Sequence, residues 1–186
     1  MSREKDYYHS LYEVAKVINS SLDPALVLET IAQQVTQALN MKACSIRLLD
    51  SQGEKLLMSA SHGLSKGYVR KGAVEVAKSR LDQEALTGNP VTIRDASSDS
   101  RFQYPEKAKD EGICSLAVVP LTVDDKAIGV LRVYSGACRD FSVEEIEFLT
   151  IIASLSAIAI ENARLHHRLK LDRELQTAYD YRLFED

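Results

Sequence analysis

The sequence predicts an α+β domain, an antiparallel sheet with helices on its faces and long helices at both ends of the chain. Three observations carry this. Strand-like runs are joined by short turns, which suit antiparallel neighbours. The runs 114–123 and 126–134 are almost continuously apolar, as in strands covered on both faces. Both ends of the chain place apolar residues at helical spacing.

The elements follow in order. Tyr7 to Asn19 sets Tyr7, Leu11, Val14 and Ile18 on one helical stripe. Ser20-Ser21-Leu22-Asp23-Pro24 restarts a helix: Asp23 can cap, Pro24 fits the first turn and Leu22 can staple onto Val27. This second helix carries Leu28, Ile31, Val35 and Leu39 and stops near Asn40. Ala43 to Leu49 and Lys55 to Ser61 are strands joined through Asp50-Ser51-Gln52-Gly53. After Gly63, Gly67 and Gly72, a helix is expected from Val76 to Thr87, closed by Gly88-Asn89-Pro90. Val91 to Ile93 is a short strand. Arg94 to Gly112 is polar and irregular, with a helical turn around Glu106 to Asp110. Cys114 to Val123 and Lys126 to Tyr134 form a hairpin across Asp124-Asp125. Pro120 demands a bulge or an edge there, because it cannot donate to a ladder. Ser142 with Glu145 forms a capping box and Phe141 with Ile146 a staple, opening a helix to about Tyr179.

Composition narrows the function. A chain of 186 residues, 45% hydrophobic and 27% charged, can bury a sizeable core. A net charge of −4 argues against nucleic acid as a partner. No apolar run reaches the ~18 residues of a spanning helix. Ile151 to Ile160 is broken by Ser154 and Ser156, and the polar N-terminus does not read as a signal peptide. A cytoplasmic location and no membrane contact by this chain are expected. Cys44, Cys114 and Cys138 form no CxxC pair and read as buried thiols of a reducing compartment, neither a disulfide framework nor a zinc knuckle. The histidines are dispersed, and the neighbours His166 and His167 diverge on a helix, so no metal site is expected. No Ser-His-Asp or Cys-His spacing can be argued. The paired acids Asp124-Asp125 and Glu144-Glu145 fall in a turn and a helix cap, so no catalytic residue is assigned.

Four segments are more specific: the loop Arg94-Asp95-Ala96-Ser97-Ser98-Asp99-Ser100-Arg101-Phe102, the run from Glu111 to Leu121 with Val119-Pro120-Leu121, the strand Ile128-Gly129-Val130-Leu131, and the cap at Phe141-Ser142. Together they resemble a GAF domain over roughly Leu22 to Leu165. The chain then divides into an N-terminal helix (1–21), the domain (22–165) and a C-terminal helical linker (166–186). The resemblance implies a sheet of about six strands flanked by helices, a regulatory small-molecule pocket on one sheet face, and a homodimer formed through the terminal helices. Specialised branches of the family do not match. Of the Asn-Lys…Phe-x-x-x-Asp-Glu motif of cyclic-nucleotide binders, only Phe141 and Glu145 fit. No cysteine is followed by the histidine of the bilin-attaching members. The Cys-Asp motif of free-methionine sulfoxide reductases is missing, and Cys114 lies too close to Pro120 to replace it. The expectation is a non-enzymatic sensory domain of a bacterial signalling protein, without cofactor but with an unidentified small ligand. Its alternatives are a thiol reductase using Cys114 or Cys138, and a ligand-free dimerisation module.

Arg47 shares a strand face with Ser45 and Leu49, and Arg132 shares one with Val130 and Tyr134. If the two strands are neighbours, as the resemblance implies, both arginines point to the pocket side and can grip an anion. The alternative is that they pair with loop acids such as Asp95 or Asp99. The expected ligand-binding residues are Arg47, Arg132, Tyr134, Asp95, Arg101 and Tyr104, with Phe102 anchoring the loop. In the last helix Leu155, Ile158, Asn162, Leu165 and Leu169 step by three and four along a heptad seam. With Leu11, Val14 and Ile18 they form the expected dimer interface, while Ile151, Ile152 and Ile160 supply a second stripe. Asp172 falls on the seam and Leu171 and Leu175 shift it, as a linker to an output module would.

Overall fold

The computed structural model describes residues 2–182 apart from Leu22 and Lys71, with side chains described for 6–174 and 176. The Leu22 staple and the position of Leu175 on its helix stripe lie outside the described residues. Helices α1 (Ser2–Ser20) and α2 (Pro24–Ala38) come first. The Asp23 carboxylate caps α2, accepting from the N–H groups of Ala25 and Leu26, and Pro24 sits where no donor is needed.

Six antiparallel strands follow: β1 (Ala43–Leu49), β2 (Lys55–His62), β3 (Val74–Glu75), β4 (Val91–Ile93), β5 (Ser115–Val123) and β6 (Lys126–Ser135). They lie in the order β3-β2-β1-β6-β5-β4, so β1 and β6, distant in sequence, are the central pair. Gly129 is required by that pairing: a Cβ there would stand 2.2 Å from the Arg47 carbonyl oxygen. Asp124 and Asp125, at φ of 47° and 60°, make the tight β5–β6 turn. Pro120 pairs with Val130 beyond the point where β4 ends, so that flank of β5 is an edge and the missing donor does no harm.

Two features depart from the sequence reading. Lys66–Val69 (α3) is a short helix capped by Ser65, hidden in the glycine-punctuated stretch. The helix expected over 76–87 is broken: a 3-10 turn at Val76–Lys78 and helix α4 (Arg80–Leu86) meet at an extended Ser79. The Ser79 hydroxyl donates to the Asp82 carboxylate at 2.6 Å instead of capping α4. Helix α5 (Pro105–Asp110) lies within the polar loop. Helix α6 (Val143–Arg182) opens on the expected capping box, with Ser142 and Glu145 exchanging hydrogen bonds of 3.0 and 3.3 Å.

The sheet is covered on both faces. Against one face pack α1, α2 and α6 over Val14, Ile31, Val35, Leu131, Leu149 and Ile152, and Tyr7 stacks on Phe148 at 4.6 Å. The other face carries a second core around Leu56, Tyr68, Leu81, Phe102, Leu116 and Tyr134, roofed by α3, α4 and the 94–112 loop. A register shift between β1 and β2 at Ile46/Arg47 makes this division possible: Ala60 joins the first core and Leu56 the second. Among the described residues, no helix is long and apolar enough to cross a membrane.

The reading of three free thiols is overturned. Cys114 and Cys138 form a disulfide with a Cα–Cα distance of 4.9 Å. Cys114 stands just before β5 and Cys138 just after β6, so the antiparallel register brings them side by side, which a separation of 24 residues does not reveal. Cys44 alone fits the expectation; it is free and buried, and burial pushes its thiol well up.

Candidate functional site

Within the second core lies a polar island. β1 contributes Ser45 and Arg47, β6 contributes Arg132 and Tyr134, and the β1–β6 register sets Ser45 opposite Arg132 and Arg47 opposite Val130. Both arginines therefore point to the same face, as expected, and both are buried: Arg47 is 0% and Arg132 2% exposed. From above, α4 lowers Asp82, also 0% exposed, onto Arg132 as a buried ion pair. Ser79 holds the same carboxylate oxygen. The hydroxyls of Ser45 and Tyr134 are 3.0 Å apart, and Tyr68 of α3 meets the Tyr134 ring edge-on at 6.1 Å.

The two arginines differ in partners. Burial pulls the Arg132 proton affinity down, but the Asp82 carboxylate more than offsets this and holds it above the ordinary arginine value. Among the described residues, Arg47 forms no ion pair with a carboxylate. Its Nη1 donates to the carbonyls of Leu56 and Gly72 at 3.2 and 3.4 Å, while Nε and Nη2 have no hydrogen-bond partner among the described residues. Burial, with repulsion from Arg132, lowers its affinity for the proton. An arginine nonetheless stays charged in proteins, so two guanidinium groups face one carboxylate across the island. Such a surplus is costly unless a further negative charge meets it.

A cleft of about 300 Å³ opens beside the island, lined by Ser65, Gly67, Tyr68, Lys107, Asp110 and Glu111. Tyr68 forms its wall towards the island. The lips are tied together, because the backbone N–H and the hydroxyl of Ser65 both donate to the Glu111 carboxylate.

The expected loop residues sit elsewhere. Arg132 is met by Asp82, not by Asp95 or Asp99. Asp95 accepts from the N–H and hydroxyl of Ser97 and so shapes its own turn. Arg101 spends its guanidinium on Asp99, Glu84 and the Thr92 carbonyl, strapping the loop to α4 and β4. Phe102 is buried as the loop's anchor, and Tyr104 packs half-buried against the second core. The structure therefore gathers Arg47, Arg132 and Tyr134, and does not hydrogen-bond Asp95 or Arg101 to them. Sequence reasoning misses Asp82, Tyr68 and Ser79, and places Ser45 on the Arg47 face without giving it a part in the site. The sequence reading places both Ser79 and Asp82 within one helix over 76–87, and only packing shows the carboxylate turned inward.

Residues 23–160 match the family model of the GAF domain. The chain belongs to the GAF domain family. A Nif-specific regulatory protein of Herbaspirillum seropedicae is 28% identical over 184 residues, covering 91% of this chain but 34% of that protein. The chain thus spans about a third or less of the curated relatives it matches. The GAF domain of an Acinetobacter phosphoenolpyruvate-protein phosphotransferase superposes with a TM-score of 0.75 at 28% identity, covering 89% of this chain and 97% of that one. A free methionine-R-sulfoxide reductase from Neisseria meningitidis, at 19% identity and a TM-score of 0.72 over 86% of this chain and 91% of its own, shares the fold.

The terminal helices of this GAF domain divide the expected interface residues. Val14 is wholly inside the chain's own core, where no partner can reach it, and Leu11, Ile18 and Leu155 pack half-buried against that core. Ile158, Asn162, Leu165 and Leu169 remain exposed, with Ile158 at 53% and Leu169 at 63%. Ile151 is exposed too, whereas Ile152 and Ile160 are buried against the sheet. The second stripe therefore loses Ile151, which extends the free seam by a heptad.

Proposed function

We propose that this GAF domain is a small-molecule-sensing regulatory domain whose ligand is an anion seated at Arg47. The observation that carries the reading is the unmatched guanidinium: wholly buried, held by two carbonyls, with Nε and Nη2 unpartnered. A carboxylate or phosphate oxygen would complete these donors and balance the surplus charge that Asp82 leaves. In this reading Arg132 and Asp82 position the island, and Tyr134 and Tyr68 form its walls. Entry is by the cleft beside Tyr68, with the Ser65–Glu111 clasp and the Arg101 strap opening around it. Asp95, Arg101 and Tyr104 act through the loop.

The output travels through α6. Its exposed seam, Ile151, Ile158, Asn162, Leu165 and Leu169, would pair with a second copy, supported by the half-buried Leu155 and by Leu11 and Ile18 of α1. Residues 166–186 then serve as the linker to an output module, in a cytoplasmic bacterial regulator of which 22–165 is the sensing unit. A ligand shifts such a dimer only as far as it prefers one helix arrangement over the other.

A second reading, a dimerisation module with no ligand, is favoured by one observation: Tyr68 already closes the island. Native mass spectrometry of freshly purified protein separates the two. A dimer with a small adduct that Arg47→Met abolishes supports the sensor. A dimer that stays adduct-free after incubation with carboxylates and inorganic phosphate supports the module, and a monomer undoes the path through α6.

A further inference from the structure

We propose that Cys114, Cys138 and Asp95 form a redox-gated site for a thiophilic divalent cation, with Zn²⁺ as the matching ion. The two sulfurs and one carboxylate oxygen of this trio all lie within 4.8 Å of one another. Ligands at zinc distances of about 2.3 Å for sulfur and 2.0–2.2 Å for oxygen sit roughly 3.5–3.8 Å apart around a tetrahedral ion, so the two sulfurs, bonded to each other here, must draw apart by side-chain rotation after reduction, while the carboxylate already lies within reach. Two thiolates and a carboxylate suit Zn²⁺ by their softness and charge, and three protein ligands leave a fourth position open to water.

The positions are fixed by the backbone as well as by the disulfide. The Cys114 N–H donates to the Ser135 carbonyl at 2.8 Å, and the Ala96 N–H donates to the Cys114 carbonyl at 2.7 Å. The hydroxyls of Ser115 and Ser135 both donate to the Ala137 carbonyl, holding the segment before Cys138. Ser97 orients the Asp95 carboxylate through Oδ1, as outer-shell donors orient metal ligands. Reduction therefore frees two thiols without scattering the trio. Cys138 is exposed and Cys114 half-buried, so reductant and ion can both reach them.

The chemistry balances with a trialkylphosphine as reductant. The phosphine attacks the disulfide, water hydrolyses the adduct, and the products are two thiols and the phosphine oxide. Binding of Zn²⁺ then displaces the two thiol protons. A small-molecule disulfide such as oxidised glutathione closes the site again by thiol–disulfide exchange: the Cys114–Cys138 bond re-forms, the reagent leaves as two thiols, and Zn²⁺ is released. The three ligands come from the start of the 94–112 loop, the entry to β5 and the connection into α6. The ion would thus tie the roof of the island to the base of the output helix.

The test uses the whole chain, reduced with a trialkylphosphine, desalted without air and titrated calorimetrically with Zn²⁺. Cd²⁺ is added in parallel to read thiolate charge-transfer absorption. The expected result is one Zn²⁺ per reduced chain, a Cd²⁺–thiolate band, and neither in the oxidised chain. Cys138→Ser, at an exposed position, keeps the fold by circular dichroism but loses the band. Asp95→Asn weakens Zn²⁺ at least ~10-fold. A reduced chain that takes up no Zn²⁺, an oxidised chain that binds it as well, or uptake indifferent to Cys138→Ser would each overturn the site. Affinity unchanged by Asp95→Asn would overturn the three-ligand assignment.

Discussion

Replacing each buried arginine by methionine tests the central asymmetry of the island. In Arg132→Met, the Asp82 carboxylate stays wholly buried with only the Ser79 hydroxyl on its bonded oxygen. Breaking a buried pair from one side costs about 3–5 kcal/mol. In Arg47→Met no carboxylate is stranded. The change forfeits two carbonyl hydrogen bonds from Nη1, at about 1.5–3 kcal/mol for bonds to a charged group. It also relieves two unmade donors, Nε and Nη2, whose burial costs about 1–3 kcal/mol each. Summed, a loss of about 3–6 kcal/mol stands against a relief of about 2–6 kcal/mol, so the central values nearly cancel. Urea unfolding of the ligand-free protein should therefore show Arg132→Met losing at least twice as much stability as Arg47→Met. Thermal shift by carboxylates or phosphate should vanish in Arg47→Met alone among variants that fold. Equal destabilisation by both substitutions would show that Arg47 is internally satisfied, and the anion seat would fall with it.

Ile158→Glu combined with Leu165→Glu alters only exposed positions of the seam, so it should keep the fold by circular dichroism and weaken self-association at least ~100-fold in sedimentation equilibrium, about 2.7 kcal/mol. An unchanged dimer would place the interface elsewhere. Gly129→Ala should cost more than the ~1 kcal/mol typical of point changes, because its Cβ meets the Arg47 carbonyl oxygen at 2.2 Å; a near-neutral effect in urea would show that β1 and β6 separate easily. Arg101 hydrogen-bonds Asp99 and holds its carboxyl below the usual range. The strap's contribution is thus complete above the unfolded value of about 3.9 and lost as pH falls through the lower folded value. The stability gap between wild type and Arg101→Gln should hold steady from pH 7 to about 5 and close only below the unfolded value; a gap still intact at pH 2 would contradict the pairing.

The sequence by itself determined the helices, strands and turns wherever the signal was local. Asp23-Pro24 starts α2, Asp124-Asp125 turns the last hairpin, Ser142 and Glu145 open α6, and alternation along β1 and β6 places both arginines on one face. It also carried the family motifs, since Gly129 and Pro120 mark positions where backbone geometry leaves little choice. What only the tertiary structure decided were pairings between residues far apart in the chain. Asp82 reads as one polar residue inside a helix until α4 is laid on the sheet, where it becomes the sole buried acid of the island among the described residues and pairs with Arg132, not Arg47. Cys114 and Cys138 become neighbours only through the β5–β6 register. Ile151 and Ile152 look alike in sequence, yet the angle at which α6 meets the sheet exposes one and buries the other. Local propensity acts through bonds and nearest turns, which a sequence displays. Charge balance and burial depend on which distant surfaces meet, and that is set by packing the whole chain.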